Sequence, residues 1–534
     1  MIMKKLLLMM VAFLATMSVS AKESGEDAMK WMKNFAPVAD KANLDGLHTA
    51  VAPDGAVYAS TTYDKVFEFA GKNITDPEGL LSSCIVKYDA NGNEMWALPF
   101  IGKCVINAMT VDTDGILYVT GNYTDEAVSC TCTDGVTVEI AGSTEATAAF
   151  VAQISAQGVI TAVRTFMPVA NIPDGYENWG VEAGIFPNDI RIDAHKVLVS
   201  CMFKGDVPAL EWQGSYVDAF GQGYMDNKSN GLFMLDKEGL SNPVSVATLQ
   251  HTGRIIDMMM DEKQDYAEAF DFVMYDGKAY ILFVGFGNLT LTTPAGSQPF
   301  SFERADDESG NKEHAFVFVD AASPTTPKIF HAAMHNESYP TYNIVGGDIV
   351  GGNCLLGGTF CGQLPLDPTK ESNSKTVTDE EGTKKTWLSN AFAASITMSG
   401  ASVNWANVFV DKHTETEANQ ATCMIATGEE SHLSTKQCMF HLNTATGETK
   451  GEPEMQGFKD ADSYADTYVS FLFTESNSVW VGSPKMSPSA ISNTKVQQNG
   501  AAKYYNLNGV ELNAPQKGLN IVKTAEGTHT VVIK

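Results

Sequence analysis

Few residues in this chain are spaced for chemistry. HAAMH sets His331 and His335 four apart. On a helix that spacing brings two imidazoles to one face, where they could hold a metal. On a strand it leaves them about 13 Å apart. The surrounding pattern is a strand's, so no metal site is assigned. Asp89-x-Asn91-Gly92-Asn93 and Asp112-x-Asp114-Gly115 carry oxygens of the kind calcium takes. They also read as ordinary Asx and glycine turns, so no cofactor is expected and structural calcium is the lesser alternative. Acidic residues gather at Asp257, Asp261, Glu262, Asp265, Glu268 and Asp271, and again at Asp306, Asp307 and Glu308. Two carboxylates about 5 to 9 Å apart can hydrolyse a glycosidic bond. In so acidic a chain close pairs arise by chance, and the catalytic residues stay unknown. The glycines of GGDIVGGNCLLGG (Gly346–Gly358) suggest a phosphate loop, but the segment falls where other repeats have a hairpin. They are read as close packing of inner strands. HExxH, GxSxG, GxxxxGK[ST] and EF-hand loops do not occur.

Aromatic residues offer more. Tyr176, Trp179, Trp212, Tyr216, Phe220 and Tyr224 fall in long connections and alternate with Gly, Asn and Asp, as in YVDAFGQGYMDN. Rings on loops stack against sugars or dock proteins, so these six are the candidate ligand-binding residues; capping of sheet edges is the alternative. There are nine cysteines. Cys423 and Cys438 flank the turn-like GEES (Gly428–Ser431) symmetrically, and a hairpin there would set them opposite one another, making them the candidate disulfide. An odd count leaves at least one thiol unpaired. Cys201 and Cys354 read as small buried hydrophobes, and Cys130-x-Cys132 lacks the second ligand pair of a zinc site.

The elements that must position these residues follow from the whole chain. It has 534 residues, 36 Lys and Arg against 64 Asp and Glu, and a net charge of −28. That balance excludes nucleic acid, which is held through cations on phosphates, and a polybasic membrane-surface binder. Lys4-Lys5, the apolar run Leu6–Leu14 and the small residues Val19-Ser20-Ala21 form a three-part secretory leader over residues 1–21. The expected location is outside the cytoplasm, secreted or on a bacterial cell surface. A lead segment spans 22–46 and includes an amphipathic stretch, Asp27–Phe35.

From Leu47 to Pro484 two hairpin units alternate. One reads VAPDGAVYASTTYD at Val51 and TVDTDGILYVTGNYTD at Thr110; the other reads CIVKYDANGNEMWALPF at Cys84 and FVAQISAQGVITAVRTF at Phe150. Asp54-Gly55, Asp114-Gly115 and Asp276-Gly277 are tight-turn signals, because such turns need positive φ at their centre. Two hairpins make a four-stranded antiparallel unit that cannot bury both faces alone, so the units stack radially. The fold class is all-β: a β-propeller over 47–484 and a small C-terminal β module. Six blades fit if Ala421–His441 and Tyr468–Pro484 share the last one; seven fit if Met439–Met455 and Tyr468–Pro484 belong to different blades. Six is preferred, and a β-sandwich array is the structural alternative.

Asp112–Tyr123 (DTDGILYVTGNY) and Cys84–Trp96 (CIVKYDANGNEMW) resemble the SBBP-type bacterial β-propeller repeat, well in the first two blades and less well afterwards. His195-Lys196 stands where the third blade should have Asp-Gly. The resemblance implies a fold and no catalytic residues. Residues 485–502 read as a linker. The tail at 503–534 resembles the sorting domain of type IX secretion cargo through Tyr505, Asn508-Gly509, Lys517-Gly518, Ile521-Val522-Lys523 and Val531–Lys534. It implies a secretion machinery as partner and passage across the outer membrane. The expected function is a monomeric, non-enzymatic surface propeller that binds glycan or protein through rim loops. The alternative is a polysaccharide hydrolase or lyase with its site in the propeller mouth. Four arginines, Arg164, Arg191, Arg254 and Arg304, are few for clamping an anionic sugar.

Overall fold

The computed structural model describes residues 29–38, 43–124, 127–140, 147–166, 184–204, 229–251, 266–302, 312–334, 342–379, 382–410, 419–451, 458–464 and 468–484, and, in a separate C-terminal unit, 503–505, 511–512, 518–524 and 527–533. Helix among them is limited to one 3-10 turn, Glu238–Leu240.

The first unit is a seven-bladed β-propeller. Blade 1 is Leu44–Val51, Val57–Tyr63, Ser82–Tyr88 and Glu94–Ile101; blade 2 is Cys104–Val111, Leu117–Tyr123, Ala148–Ile154 and Ile160–Phe166. Blade 3 is Gly184–Ile192, Lys196–Lys204, Ser229–Asp236 and Val244–His251; blade 4 is Tyr266–Tyr275, Lys278–Phe286, Lys312–Asp320 and Lys328–Met334. Blade 5 is Asn343–Val350, Asn353–Phe360, Asn390–Thr397 and Ser402–Phe409, and blade 6 has the three strands Ala421–Thr427, Glu430–Thr435 and Met439–Asn443. Blade 7 takes Asp460–Tyr464, Tyr468–Glu475 and Ser478–Pro484 from the C-terminal side and Met29–Phe35 from the N-terminal side. The count is therefore seven and not the preferred six, because Met439–Asn443 and Tyr468–Pro484 lie in different blades. The amphipathic lead is an outer strand: Met32 to Phe35 pair antiparallel with Gly482 to Val479. Its alternation had a sheet partner at the other end of the propeller sequence.

Asp-Gly turns are where the pattern puts them. Gly55, Gly115 and Gly277 have φ of +81°, +77° and +70°, the left-handed conformation that glycine adopts without cost. Apolar layers between neighbouring blades form the core; Leu98, Phe100, Ile106, Val119 and Phe150 fill one such layer. In blade 5, a Cβ on Gly358 would lie 2.2 Å from the Asn343 carbonyl, so this glycine-rich segment is packed backbone, as read.

Connections between second and third strands reach back to the preceding blade. In blade 2 the hairpin Val128–Thr131/Thr137–Ile140 pairs with the outer strand of blade 1, and in blade 4 the hairpin Asn288–Thr293/Gly296–Ser301 pairs with that of blade 3. In blade 1, Val66–Phe69/Lys72–Thr75 reaches the outer strand of blade 7, where Phe35 meets Phe67 and Phe69. These hairpins occupy sheet edges that would otherwise present unpaired N–H and C=O groups.

In the second unit, Glu511–Leu512, Lys503–Tyr505, Gly518–Thr524 and Gly527–Ile533 form one four-stranded sheet in that order.

Candidate functional site

Each blade turns its first strand toward the central channel. An inner strand has one bare edge, whose backbone N–H groups need acceptors. The strand of blade 1 finds them on blade 7: Leu44 N–H donates to Asn477 Oδ1 (2.7 Å), Gly46 N–H to Thr474 Oγ1 (2.9 Å), Thr49 N–H to Asp460 Oδ2 and Val51 N–H to Asp462 Oδ2 (both 2.8 Å). The strand of blade 6 is held likewise by blade 5: Ala421 N–H donates to Thr359 Oγ1, and Ala426 N–H to Asp348 Oδ2 (2.9 Å).

Across the channel, Arg191 of blade 3 spans three blades. Its Nε donates to Asp189 Oδ2 at 2.6 Å. Nη2 meets Asp271 of blade 4 at 3.5 Å and the Gly346 carbonyl of blade 5 at 2.7 Å, and Nη1 meets the Gly347 carbonyl at 3.2 Å. Gly347 has φ +122°, and a Cβ there would fall 2.7 Å from Arg191 Nη1, so only glycine admits the guanidinium. Burial raises the Asp271 carboxyl above its ordinary range, with Asp189 adding to the rise and Arg191 opposing it. Asp462 is pushed up to about 7, first by loss of solvent and then by Asp348 and Asp460, against the pull of the Val51 N–H.

A second feature lies between blades 5 and 6, a groove of about 400 Å³. Asn353 and Ser395 line it from blade 5, and Glu429, Asn443, Thr444 and Lys450 from blade 6. Asn404 Nδ2 donates to Asn353 Oδ1 and Ser395 Oγ, fixing both. Asn443 Oδ1 accepts from the Ala445 and Thr446 N–H groups. The Trp405 indole N–H donates to the Thr444 carbonyl, and the ring seats against Gly447, which has φ +69°. A Cβ at Gly447 would lie 2.3 Å from that ring. The groove thus sets amides and hydroxyls beside one carboxylate and one ammonium on a pinned loop. Lys450 Nζ is 3.9 Å from Glu430, whose carboxyl is raised by burial.

The candidate rings Tyr176, Trp179, Trp212, Tyr216, Phe220 and Tyr224 lie outside the described residues, as do His335, Asp257 to Asp265 and Asp306 to Glu308. His331 is exposed and faces Phe302 edge-on. Asp89 spends its oxygens on the Asn91 and Asn93 N–H groups and the Asn93 amide; Asp112 accepts from Asp114 and Ile116 N–H and pairs with Lys237 of blade 3 at 2.9 Å. Cys423 and Cys438 are not joined. The hairpin forms with Thr427 opposite Glu430, which places Ser434 opposite Cys423, while Cys438 packs in a different apolar cluster. Among the described residues no three His, Cys, Asp or Glu side chains gather closely enough to hold a metal ion. Sequence patterning missed Arg191, Asp189, Asp348, Asp460 and Asp462. Their only signal was charge on strands that otherwise read as core.

The chain matches no protein-family model and no curated protein. Among solved structures it is similar to the Dos1 propeller, at 9% identity over 85% of this chain and 96% of that one, TM-score 0.35. It is similar to YCF48 from Cyanidioschyzon merolae at 6% identity over 84% and 99%, TM-score 0.35. It is similar to the rhamnogalacturonan lyase YesW at 12% identity over 84% and 75%, TM-score 0.34. Likeness at this level carries nothing about ligand or reaction.

Proposed function

We propose that this chain is an exported, surface-associated propeller that binds a glycan without cleaving it. One observation carries the reading. Channel carboxylates of the sort a hydrolase would use are engaged in holding blades together, through N–H groups of Thr49, Val51 and Ala426 and through Arg191. The groove between blades 5 and 6 instead offers amides and hydroxyls at a surface, the chemistry that pairs with sugar hydroxyls and needs few cations. The leader-like residues 1–21 and the tail at 503–534, similar to a type IX sorting domain, support export. The SBBP-like hairpins of blades 1 and 2 support a bacterial surface setting.

A second reading, hydrolysis, rests on Asp462, whose carboxyl burial pushes up to about 7, the range in which a general acid works. One experiment separates the two. The full chain is run through native gels cast with a panel of polysaccharides. Binding predicts retarded migration with the polymer intact, and loss of retardation in Asn443→Ala and Lys450→Ala. A cleared zone, abolished in Asp462→Asn, would replace the binding reading with hydrolysis. Unaltered migration with every polymer would refute the glycan assignment.

A further inference from the structure

The groove between blades 5 and 6 is one-sided in its hydrogen bonding. On the blade 5 side the bonds run in one direction. The Thr397 hydroxyl donates to Asn404 Oδ1 at 2.9 Å, and Asn404 Nδ2 donates in turn to Asn353 Oδ1 at 3.0 Å and to Ser395 Oγ at 3.2 Å. Asn353 is thereby held by its oxygen, and its Nδ2 has no partner among the described residues. Ser395 accepts from Asn404, so its own O–H is left to donate. On the blade 6 side Asn443 Oδ1 accepts from the Ala445 N–H at 2.9 Å and the Thr446 N–H at 3.2 Å, which fills both lone pairs. Its Nδ2, too, has no partner among the described residues. The Thr444 hydroxyl is spent inside blade 6, 2.8 Å from Ser431 Oγ. Both walls therefore keep their oxygens engaged within the protein and leave N–H and O–H groups for a ligand, with the Lys450 ammonium beside them.

A groove walled by donors selects acceptors, because a ligand that leaves them unmet forfeits the bonds water made there. A carboxylate or sulfate accepts strongly, but it would enter beside Glu429 with one ammonium to set against it. That ammonium is itself 3.9 Å from Glu430, and the whole chain carries a net charge of −28. A neutral acceptor avoids the repulsion. The acetamido group of an N-acetylated sugar is one, with a carbonyl to accept, an N–H to give and a methyl to bury. We infer that the groove takes a 2-acetamido sugar, which rests on the glycan reading above. The Nδ2 groups of Asn353 and Asn443 donate to the acetamido carbonyl and to the hydroxyl beside it. Glu429 is exposed, its carboxylate has no partner among the described residues, and it accepts the acetamido N–H. The methyl meets Val350, Leu355 and Ala445, the apolar part of the lining. One substituent thus uses all three kinds of surface present, in a volume of about 400 Å³ that suits a small ligand.

The test is titration calorimetry on the full chain with neutral oligosaccharides that differ in acetamido groups alone. The pairs are N,N′,N″-triacetylchitotriose with cellotriose, and N-acetyllactosamine with lactose; trigalacturonate is the anion. The acetylated member of a pair should bind at least about 10-fold more tightly than its partner and than trigalacturonate. Asn443→Asp turns one donor into an acceptor at almost constant shape, and its carboxylate still accepts from the Ala445 and Thr446 N–H groups, so the loop keeps its cap. Affinity for the acetylated sugar should fall about 10- to 100-fold in that variant. Saturation-transfer NMR should find the acetyl methyl the most strongly saturated group of the bound sugar. Equal affinity within both pairs, tighter binding of trigalacturonate, or gel retardation by acetamido-free polymers alone overturns the assignment while the glycan reading stands. An acetylated sugar held equally by wild type and Asn443→Asp overturns the groove as its site. Binding of none of these sugars, together with unaltered migration in every polysaccharide gel, overturns both.

Discussion

On one side of the channel Arg191 stands between Asp189 and Asp271, 2.6 and 3.5 Å away. On the other side Asp460 and Asp462 answer backbone N–H groups of blade 1, and the charges that bear on Asp462 are carboxylates. Asp348 is felt by both halves. The first half balances charge with a guanidinium. The second balances it with backbone dipoles and with protons, since a carboxyl pushed up to about 7 is largely protonated below that pH. Both hold inner strands together, and each contains a carboxyl that burial raises toward neutral pH, Asp271 in the first and Asp462 in the second.

Arg191→Met should have the largest effect. It leaves two carboxylates in a half-buried site without their cation, and breaking such a pair costs about 3–5 kcal/mol. Denaturant unfolding measures the loss, and adding Asp271→Leu should recover part of it. If Arg191→Met is as stable as wild type, the guanidinium does not hold blades 3, 4 and 5 together. Asp460→Ala comes next, at about 1–3 kcal/mol, because the Thr49 N–H at the seam of blades 7 and 1 loses its acceptor.

Asp462→Asn should have the smallest effect and the most distinctive pH dependence. Its folded-state pKa is raised above the ordinary 3.8. The native state therefore binds more protons than the unfolded one between those values, so this group's stabilisation is complete below about 4 and is lost as pH rises through 7. Urea unfolding of wild type should weaken across that window more than that of Asp462→Asn, with the variant ahead at pH 8. Parallel curves would mean that Asp462 is ionised in the folded chain.

Blades 1 and 2 were legible because their turns are written locally, in Asp54-Gly55, Asp114-Gly115 and Asn91-Gly92. The end of the propeller was not. Among the described residues blade 6 has three strands and an isolated bridge, Leu442 to Thr449, where a fourth would begin, so its pattern merged with that of blade 7. Met29–Phe35 looked like a lead segment because its partner, Val479–Pro484, is some 450 residues away. Arg191 was visible only as a scarce residue type, since the Gly346 carbonyl it binds is 155 residues downstream. The hairpin near Gly428 was anticipated, but its register was not. The two-residue turn at Gly428-Glu429 pairs Cys423 with Ser434, and spacing about GEES could not fix a turn centre to within a residue.

The hydrogen bond from Leu44 to Asn477 joins positions 433 residues apart. A ring closed this way has a timetable. The outer strand of blade 7 is made first and the strands it pairs with last, so the emerging chain holds that strand unpartnered until the propeller sequence is complete. Contacts of such long separation form slowly, and until they form Met29–Phe35 is an open β-edge that other chains could join.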